Sequence, residues 1–304
     1  MTEEKKIVRI GYQIAWELVR NYLTPWPPPN PLSRPVKGWH HRLDREFDKK
    51  FKILNENCKA PNIILDGEYS LAPELQAEAS RQRADIEAKH RRNSPHAILS
   101  QEPNWHAAAV NLHVESLDFA SVSALREVGQ RPEILSACAV IICREKKEIL
   151  LQQRAPDVAT YPRHLHTLGG AFIPTVAGTE DPDRGGALIT ILREVLEESQ
   201  MGLSADDRPH LMISKELTTG FIQLVFLGFN VSVDTMDRGS GNWEGELERI
   251  PFRNLPKILR EQNWVPSGKA QVLAWLALGA PNAGIRPRFD GQSPKQLFDS
   301  LVES

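Results

Sequence analysis

The chain has 304 residues, enough for more than one structural unit. Hydrophobic residues make up 41% and charged residues 25%, which is ordinary for a globular protein. Its formal net charge of −2 argues against binding nucleic acid by bulk electrostatics, because such proteins usually carry a basic surplus. No apolar run approaches the roughly 18 residues of a membrane span, and the three cysteines lack CxxC spacing. We therefore expect a cytoplasmic protein with no membrane contact, disulfide framework or structural zinc site.

The N-terminal part, residues 1–112, is predicted to be a mainly helical extension. Apolar spacing predicts a helix within residues 7–23, a second helical stretch from residue 39 toward 54, and a long charged helix within residues 72–92. Six prolines between residues 25 and 35 must end the first helix. The sequence of this extension indicates no family, and it is the candidate region for a protein partner or for self-association.

Strand signals follow in the middle of the chain. Residues 137–143 are a continuous apolar run, and residues 148–154 follow after a charged turn, so the two segments predict a hairpin. Residues 221–231 are apolar nearly throughout, as in a strand covered on both faces. Helices are expected at residues 255–261 and 269–278.

The most informative segment is a predicted amphipathic helix that carries three glutamates. Glu194, Glu197 and Glu198 share one helix face and flank an apolar stripe. Like charges at this spacing repel by a few tenths of a kcal/mol, and a hard divalent cation such as Mg²⁺ would relieve that repulsion. The alternative is a Glu-rich face that is simply solvated. The apolar stripe consists of Leu188, Ile191, Leu192, Val195 and Leu196.

The residues of this helix resemble the signature of the Nudix hydrolase superfamily, G-x5-E-x7-R-E-U-x-E-E-x-G-U, in which U is aliphatic. Residues 193–198, Arg-Glu-Val-Leu-Glu-Glu, fall on R-E-U-x-E-E without a gap. Upstream, the "ILLQQR" strand and the "LGG" loop occur in the order that the family shows. The resemblance is therefore specific in the second half of the signature.

The first half of the signature departs from the family pattern. Gly170 would be the opening glycine, but it lies 193 − 170 = 23 positions before Arg193, where the pattern has 14, so nine extra residues form a lengthened loop. Glu180 is the only glutamate available for the first Glu of the pattern. Gln200 replaces the closing glycine, and we expect Gly202 to supply the left-handed end of the helix instead.

The resemblance implies an α/β fold, a Nudix-type α/β/α sandwich with a mixed sheet, in residues 113–282. A C-terminal tail with one short helix near Phe298 is expected at residues 283–304. The implied activity is metal-dependent hydrolysis of a phosphoanhydride bond in a nucleoside diphosphate linked to another moiety, with Mg²⁺ or Mn²⁺ as cofactor. The expected partner is thus a small nucleoside diphosphate derivative, with neither nucleic acid nor membrane.

The resemblance also implies roles for individual residues. Glu194, Glu197 and Glu198 would hold the metal ion, and Arg193 would orient Glu197 by an ion pair four residues along the helix. The residues expected to contact the substrate are Arg154, Gly169 and Gly170. The alternative for Arg154 is that it only caps the sheet.

A general base is needed to take a proton from the attacking water. The candidates are Glu194 within the signature or a later glutamate, Glu246 or its neighbour Glu244. Stacking of a base is a further role that aromatic side chains fill in nucleotide sites, although an aromatic near a sheet more often belongs to the core. The aromatic candidates are Tyr161, Phe172, Phe221 and Trp243.

The rival interpretation is a catalytically silent Nudix fold that binds a nucleotide or a protein. The three glutamates favour the enzyme, because a binding module has no need to keep three repelling carboxylates. The nine-residue insertion and the missing glycine favour the binding module.

Overall fold

The computed structural model describes residues 35–56, 61–88, 93–107, 110–158, 160–174, 186–203 and 209–302. Those residues form eight helices and one sheet of eleven strands. The helix predicted within residues 7–23, all but the last residue of the proline cluster, Glu180 and most of the lengthened loop lie outside them. None of the helices described is both long and apolar enough to cross a membrane.

The first part of the chain is mixed in secondary structure. The helix expected from residue 39 toward 54 ends at Glu46, because Lys49 adopts a left-handed conformation and Phe51 starts a strand that pairs with a later one. The described part of residues 1–112 thus contains strands as well as helices. Its elements, with those up to residue 127, are α1 (Trp39–Glu46), β1 (Phe51–Asn55), β2 (Asn62–Glu68), α2 (Pro73–Ala88), β3 (Pro95–Leu99), β4 (Asn111–Asp118) and α3 (Phe119–Glu127).

The second part confirms the predicted hairpin, the Glu-rich helix, the apolar strand and the two later helices. Its elements are β5 (Ile134–Cys143), β6 (Glu148–Arg154), β7 (Leu165–His166), β8 (Leu168–Ala171), α4 (Ala187–Ser199), β9 (His210–Glu216), β10 (Phe221–Asn230), α5 (Val233–Arg238), β11 (Gly245–Pro251), α6 (Leu255–Glu261), α7 (Pro266–Ala277) and α8 (Pro294–Leu301).

Strand β5 organises the sheet. The strands run in the order β1-β9-β10-β5-β3-β4-β2, and β5 is parallel to β10. Along its other edge β5 pairs in turn with β3 at Ile134, with β8 over residues 136–139 and with β6 over residues 141–143. The sheet is therefore continuous from β1 to β2, and the predicted domain boundary at residue 112 falls inside β4.

The sheet lies between two helical layers. Along β5, Val140 and Ile142 belong to the apolar layer that contains α7, whereas Ala139 and Ile141 belong to the layer that contains α4. This alternation is expected for a strand, in which successive side chains point to opposite faces. The expected α/β/α sandwich with a mixed sheet is confirmed.

The C-terminal residues are packed into the same core. Phe289, Leu297 and Phe298 are fully buried in the layer of α7, and the guanidinium of Arg42 from α1 lies 4.8 Å from the centre of the Phe298 ring. The short helix expected near Phe298 is confirmed as α8. Residues 283–302 are thus an integral part of the core and not a loose tail.

Candidate active site

Helix α4 holds the three signature glutamates at different depths. Its apolar residues, including Ile191 and Val195, pack under the sheet, so the glutamates lie at the margin of the packed face. Glu197 is exposed, 13% of the Glu194 side chain is exposed, and Glu198 is buried, with only 4% of the residue exposed. A solvated Glu-rich face would leave all three carboxylates in water, so the burial of Glu198 argues against that alternative.

The end of α4 differs from the expectation. Gln200 adopts the left-handed conformation, with φ 58° and ψ 17°, and its N–H donates to the carbonyl of Leu196. The prediction that Gly202 supplies this conformation was wrong. Gln200 stands where the family signature has a glycine, and the backbone takes the same left-handed geometry in spite of the side chain.

Strand β8 brings its two glycines against α4. The N–H of Gly169 donates to Oε2 of Glu198 over 3.2 Å. A Cβ on Gly170 would overlap the carboxyl group of Glu194, and a Cβ on Gly169 would overlap the carbonyl oxygen of Ala137 in β5. Gly170 thus lets the Glu194 carboxylate approach the backbone of the sheet closely, and Gly169 lets β8 pack closely against β5.

Arg193 links α4 to the end of β8. Its Nη1 lies 2.8 Å from Oε1 of Glu194 and 3.3 Å from Oε2 of Glu197. Its Nη2 donates to the carbonyl of Ala171 over 3.2 Å. The buried guanidinium therefore fixes two of the three glutamates and anchors the helix to the strand that carries the glycines.

Glu198 lies among other carboxyl groups. Burial raises its pKa well above the usual range, and the negative charges of Glu244 and Glu194 raise it further. The Glu244 side chain, which is within reach of Glu198, favours the protonated form of Glu198, whereas the N–H of Gly169 favours the ionised form and lowers the pKa. Glu246, in contrast, is exposed on β11 opposite Gln153. Of the two later glutamates, Glu244 is the one that the structure places at Glu198.

The donor set suits a hard cation. Carboxylate oxygens are the ligands that Mg²⁺ and Mn²⁺ prefer, and the crowding of Glu194, Glu198 and Glu244 would be relieved by positive charge. Within the described ranges, no three or more His, Cys, Asp or Glu side chains are grouped so that they could hold a metal ion. Two of the predicted ligands, Glu194 and Glu197, form ion pairs with Arg193.

Arg154 lies at the end of β6, beside the segment that carries Glu244. It pairs with Gly245, and its Nε donates to the carbonyl of Thr160 over 3.1 Å. The next residue, Ala155, donates its N–H to the carbonyl of Glu244 over 2.8 Å. The backbone of β6 thus fixes Glu244 in place at the start of β11.

The four aromatic candidates have different surroundings. Phe172 is buried in the apolar layer of α4, and Phe221 lies under the guanidinium of Arg126 at 5.7 Å. The hydroxyl of Tyr161 hydrogen-bonds to Thr218. The fourth candidate, Trp243, is 69% exposed.

A buried polar network behind the glycine strand was not predicted from the sequence. Burial, and next the charge of Arg154, lower the pKa of His166 to about 4, so His166 is neutral in the folded protein near pH 7. Its Nε2 lies 3.4 Å from Oγ of Ser267, which donates to Oε2 of the buried Glu216 over 2.9 Å. Nearby, Nε2 of Gln271 donates to Oε1 of Gln223 over 3.1 Å. Polar residues inside apolar runs, such as these two glutamines, were the signal available in the sequence.

No protein-family model matches this chain, and no curated protein matches it significantly. Among solved structures, the MutT protein from Methanosarcina mazei Go1 is 25% identical over 46% of this chain and 89% of that protein, with a TM-score of 0.33. A Nudix hydrolase from Alicyclobacillus acidocaldarius is 16% identical over 49% of this chain and 92% of that protein, with a TM-score of 0.34.

A third similar structure is the bifunctional NMN adenylyltransferase/ADP-ribose pyrophosphatase from Francisella tularensis. It is 14% identical, and the match covers 51% of this chain and 45% of that protein, with a TM-score of 0.35. The solved structures similar to this chain thus include Nudix hydrolases, the superfamily whose signature residues 193–198 resemble.

Proposed function

We propose that this chain hydrolyses a phosphoanhydride bond in a nucleoside diphosphate linked to another moiety, with Mg²⁺ or Mn²⁺ as cofactor. The observation that carries the proposal is the buried Glu198, which accepts from the N–H of Gly169 and contacts Glu244 in the vicinity of Glu194. Burying an ionised carboxyl group against two others opposes folding unless the group takes up a proton or pairs with a cation. Pairing with a bound cation is the solution that fits both this chemistry and the Nudix signature.

The roles of the signature residues follow from their contacts. Glu194, Glu197 and Glu198 would hold the divalent ion, which when bound neutralises phosphate charge and lowers the pKa of a bound water. The Gly169 N–H fixes the direction of the Glu198 carboxylate. Arg193 orients the other two carboxylates through its ion pairs with them.

Glu244 is our candidate for the general base. Its side chain touches Glu198, and its own backbone is held by Ala155 and by the side chain of Asn242, so it can take a proton from a water at the carboxylate cluster. Glu246 is exposed on β11, and no contact places it in the cluster. These contacts therefore favour Glu244 over Glu246 as the general base.

A hydrolysis screen tests the proposal. The purified full chain is incubated with nucleotide sugars, dinucleotides and nucleoside triphosphates, with Mg²⁺ or Mn²⁺, and the phosphate-containing products are identified. We expect Glu198→Gln to lower kcat/KM by about a thousandfold and Glu244→Gln by about a hundredfold, because metal ligation and proton transfer contribute on that order. The matched change Glu246→Gln separates the two base candidates, since a larger loss there than in Glu244→Gln would transfer the role to Glu246.

The second candidate function is a binding module without catalysis. It is favoured by the finding that, in the described ranges, the acidic side chains form no group of three that could hold a metal, and by the nine-residue insertion in the signature. Binding of a nucleotide that depends on Glu198, with no product from any compound in the screen, would decide for this alternative.

A further inference from the structure

The turn that precedes β11 is rigid. The N–H of Asn242 donates to the carbonyl of Gly245 over 3.0 Å, and the N–H of Gly245 donates back over 3.2 Å. The side chain of Asn242 also accepts from the N–H of Glu244 over 2.8 Å. A Cβ on Gly241 would overlap the carbonyl oxygen of Gly245, so the turn is also closely packed. The backbone of its two central residues, Trp243 and Glu244, is therefore held by these bonds.

Trp243 is exposed to a degree that is unusual for its type. With 69% of its surface in water, it is the one Phe, Trp or Tyr residue in the described part of the chain that is mostly exposed. Leaving an indole in water forfeits the favourable free energy that its burial would contribute. No fold requirement accounts for this, because the turn is closed by backbone atoms and by the Asn242 side chain.

The position of Trp243 links it to the carboxylate cluster. Its neighbour Glu244 reaches Glu198, and the Cα atoms of consecutive residues are only about 3.8 Å apart. Trp243 is therefore one residue along the chain from the carboxylate cluster at which phosphates would bind. The other aromatic candidates, Tyr161 and Phe221, already contact neighbouring side chains of the fold.

From this arrangement we propose that Trp243 is the stacking platform for the aromatic base of the substrate. The substrate class is then a nucleotide whose base lies flat on the indole, with its phosphates directed toward Glu198 and Glu244. The expected direction of the phosphates rests on the proposed function. The expected binding of the base rests only on the geometry of the turn. Stacking tolerates any base, because every base has a π-face.

Binding of nucleoside monophosphates tests the inference without turnover. Calorimetric titrations of the four ribonucleoside monophosphates and of ribose 5-phosphate, with Mg²⁺ present, are compared between wild type, Trp243→Phe and Trp243→Ala. We expect Trp243→Ala to weaken nucleotide binding at least about fivefold, because base stacking contributes about that much or more per base. We expect Trp243→Phe to lose less and ribose 5-phosphate to bind all three proteins equally.

The control is Ile285→Ala, which removes another exposed apolar side chain, 92% exposed, far along the chain. It should bind nucleotides as wild type does. Equal nucleotide affinity in wild type and Trp243→Ala, or no nucleotide binding by either, would overturn the stacking role.

Turnover separates this inference from the proposed function. If the chain is a hydrolase, Trp243→Ala should raise KM for substrates with an aromatic base at least about fivefold and change kcat little. Nucleotide binding that depends on Trp243 with no hydrolysis would keep the platform and reject the enzyme. Hydrolysis with an unchanged KM in Trp243→Ala would keep the enzyme and reject the platform.

Discussion

Gly169 and Gly170 are adjacent in β8, yet each lacks a side chain for a different reason. The space at Gly169 is closed by the backbone of β5, at Ala137, whereas the space at Gly170 is occupied by the flexible end of Glu194. A backbone atom cannot move aside, but a glutamate side chain can change its rotamer. The first glycine is therefore a requirement of the fold and the second a requirement of the site.

Alanine substitutions should separate these two requirements. We expect Gly169→Ala to lower the free energy of unfolding by about 1–3 kcal/mol, as overpacking in a core does. Gly170→Ala should leave stability within about 1 kcal/mol of wild type but lower kcat/KM at least about tenfold, because it displaces the Glu194 carboxylate. Denaturant unfolding and turnover measure the two effects.

The control for the glycine pair is Gly202→Ala, since a Cβ there would meet no atom within 4 Å. It should match wild type in both measurements. Full activity in Gly170→Ala would show that activity does not depend on the position of the Glu194 carboxylate.

The C-terminal end of α4 stores strain in one residue. Gln200 is held at φ 58°, in the left-handed region where L side chains cost roughly 1–2 kcal/mol. Glycine has no such cost, and it is the residue most often found at this position of a helix end.

Replacing Gln200 by glycine should therefore raise the free energy of unfolding by about 1 kcal/mol. The change is measured by urea unfolding, with Gln200→Ala as the matched control, because alanine removes the same side chain and retains the Cβ. A gain of equal size in both variants would mean that side-chain loss, and not the left-handed backbone, is responsible.

A helix or strand could be predicted from the sequence where neighbouring residues carry its signal. The helix at residues 255–261 and the strand β10 carry periodic or continuous apolar residues, and both occur where predicted. Strand β1 follows a helix without a break in apolar spacing, and its structure comes from pairing with β9. Pairing between distant segments leaves little trace in a single sequence.

The candidate site likewise depends on contacts between distant segments. The spacing of Glu194, Glu197 and Glu198 predicted their common helix face but not that Glu198 alone is buried. That difference comes from the approach of Gly169, which is set by the pairing of β8 with β5. Likewise, the sequence offered both Glu244 and Glu246, and only the turn before β11 distinguishes them.

At the scale of the whole molecule, the C-terminal residues close the core beneath α7. Phe298 of α8 is fully buried, and Phe289 packs against Phe252 with ring centres 4.9 Å apart. Arg42 adds an ion pair to Asp299, with Nη1 to Oδ1 at 2.6 Å, so α1 and α8 are joined from opposite ends of the chain. The last helix is therefore needed for the stability of the sandwich that positions α4.

Truncation of the buried ring should reveal this dependence. We expect Phe298→Ala to lower the free energy of unfolding by about 3–5 kcal/mol, through lost burial and the cavity left behind. Thermal or denaturant unfolding gives the value, and Ile285→Ala, in the same segment but exposed, should stay within about 0.5 kcal/mol of wild type. A small loss in Phe298→Ala would restore the description of this segment as a tail.

The carboxylate cluster around Glu198 is proposed to bind a divalent cation. The melting temperature of the full chain, measured at increasing Mn²⁺, tests this binding, since a ligand that binds only the folded state stabilises it by RT ln(1 + [L]/Kd). We predict that wild type and the exposed-site control Glu261→Gln are stabilised by Mn²⁺ at up to millimolar concentration, and that Glu198→Gln is not. An unchanged melting temperature in wild type, or an equal shift in Glu198→Gln, would contradict cation binding at this cluster.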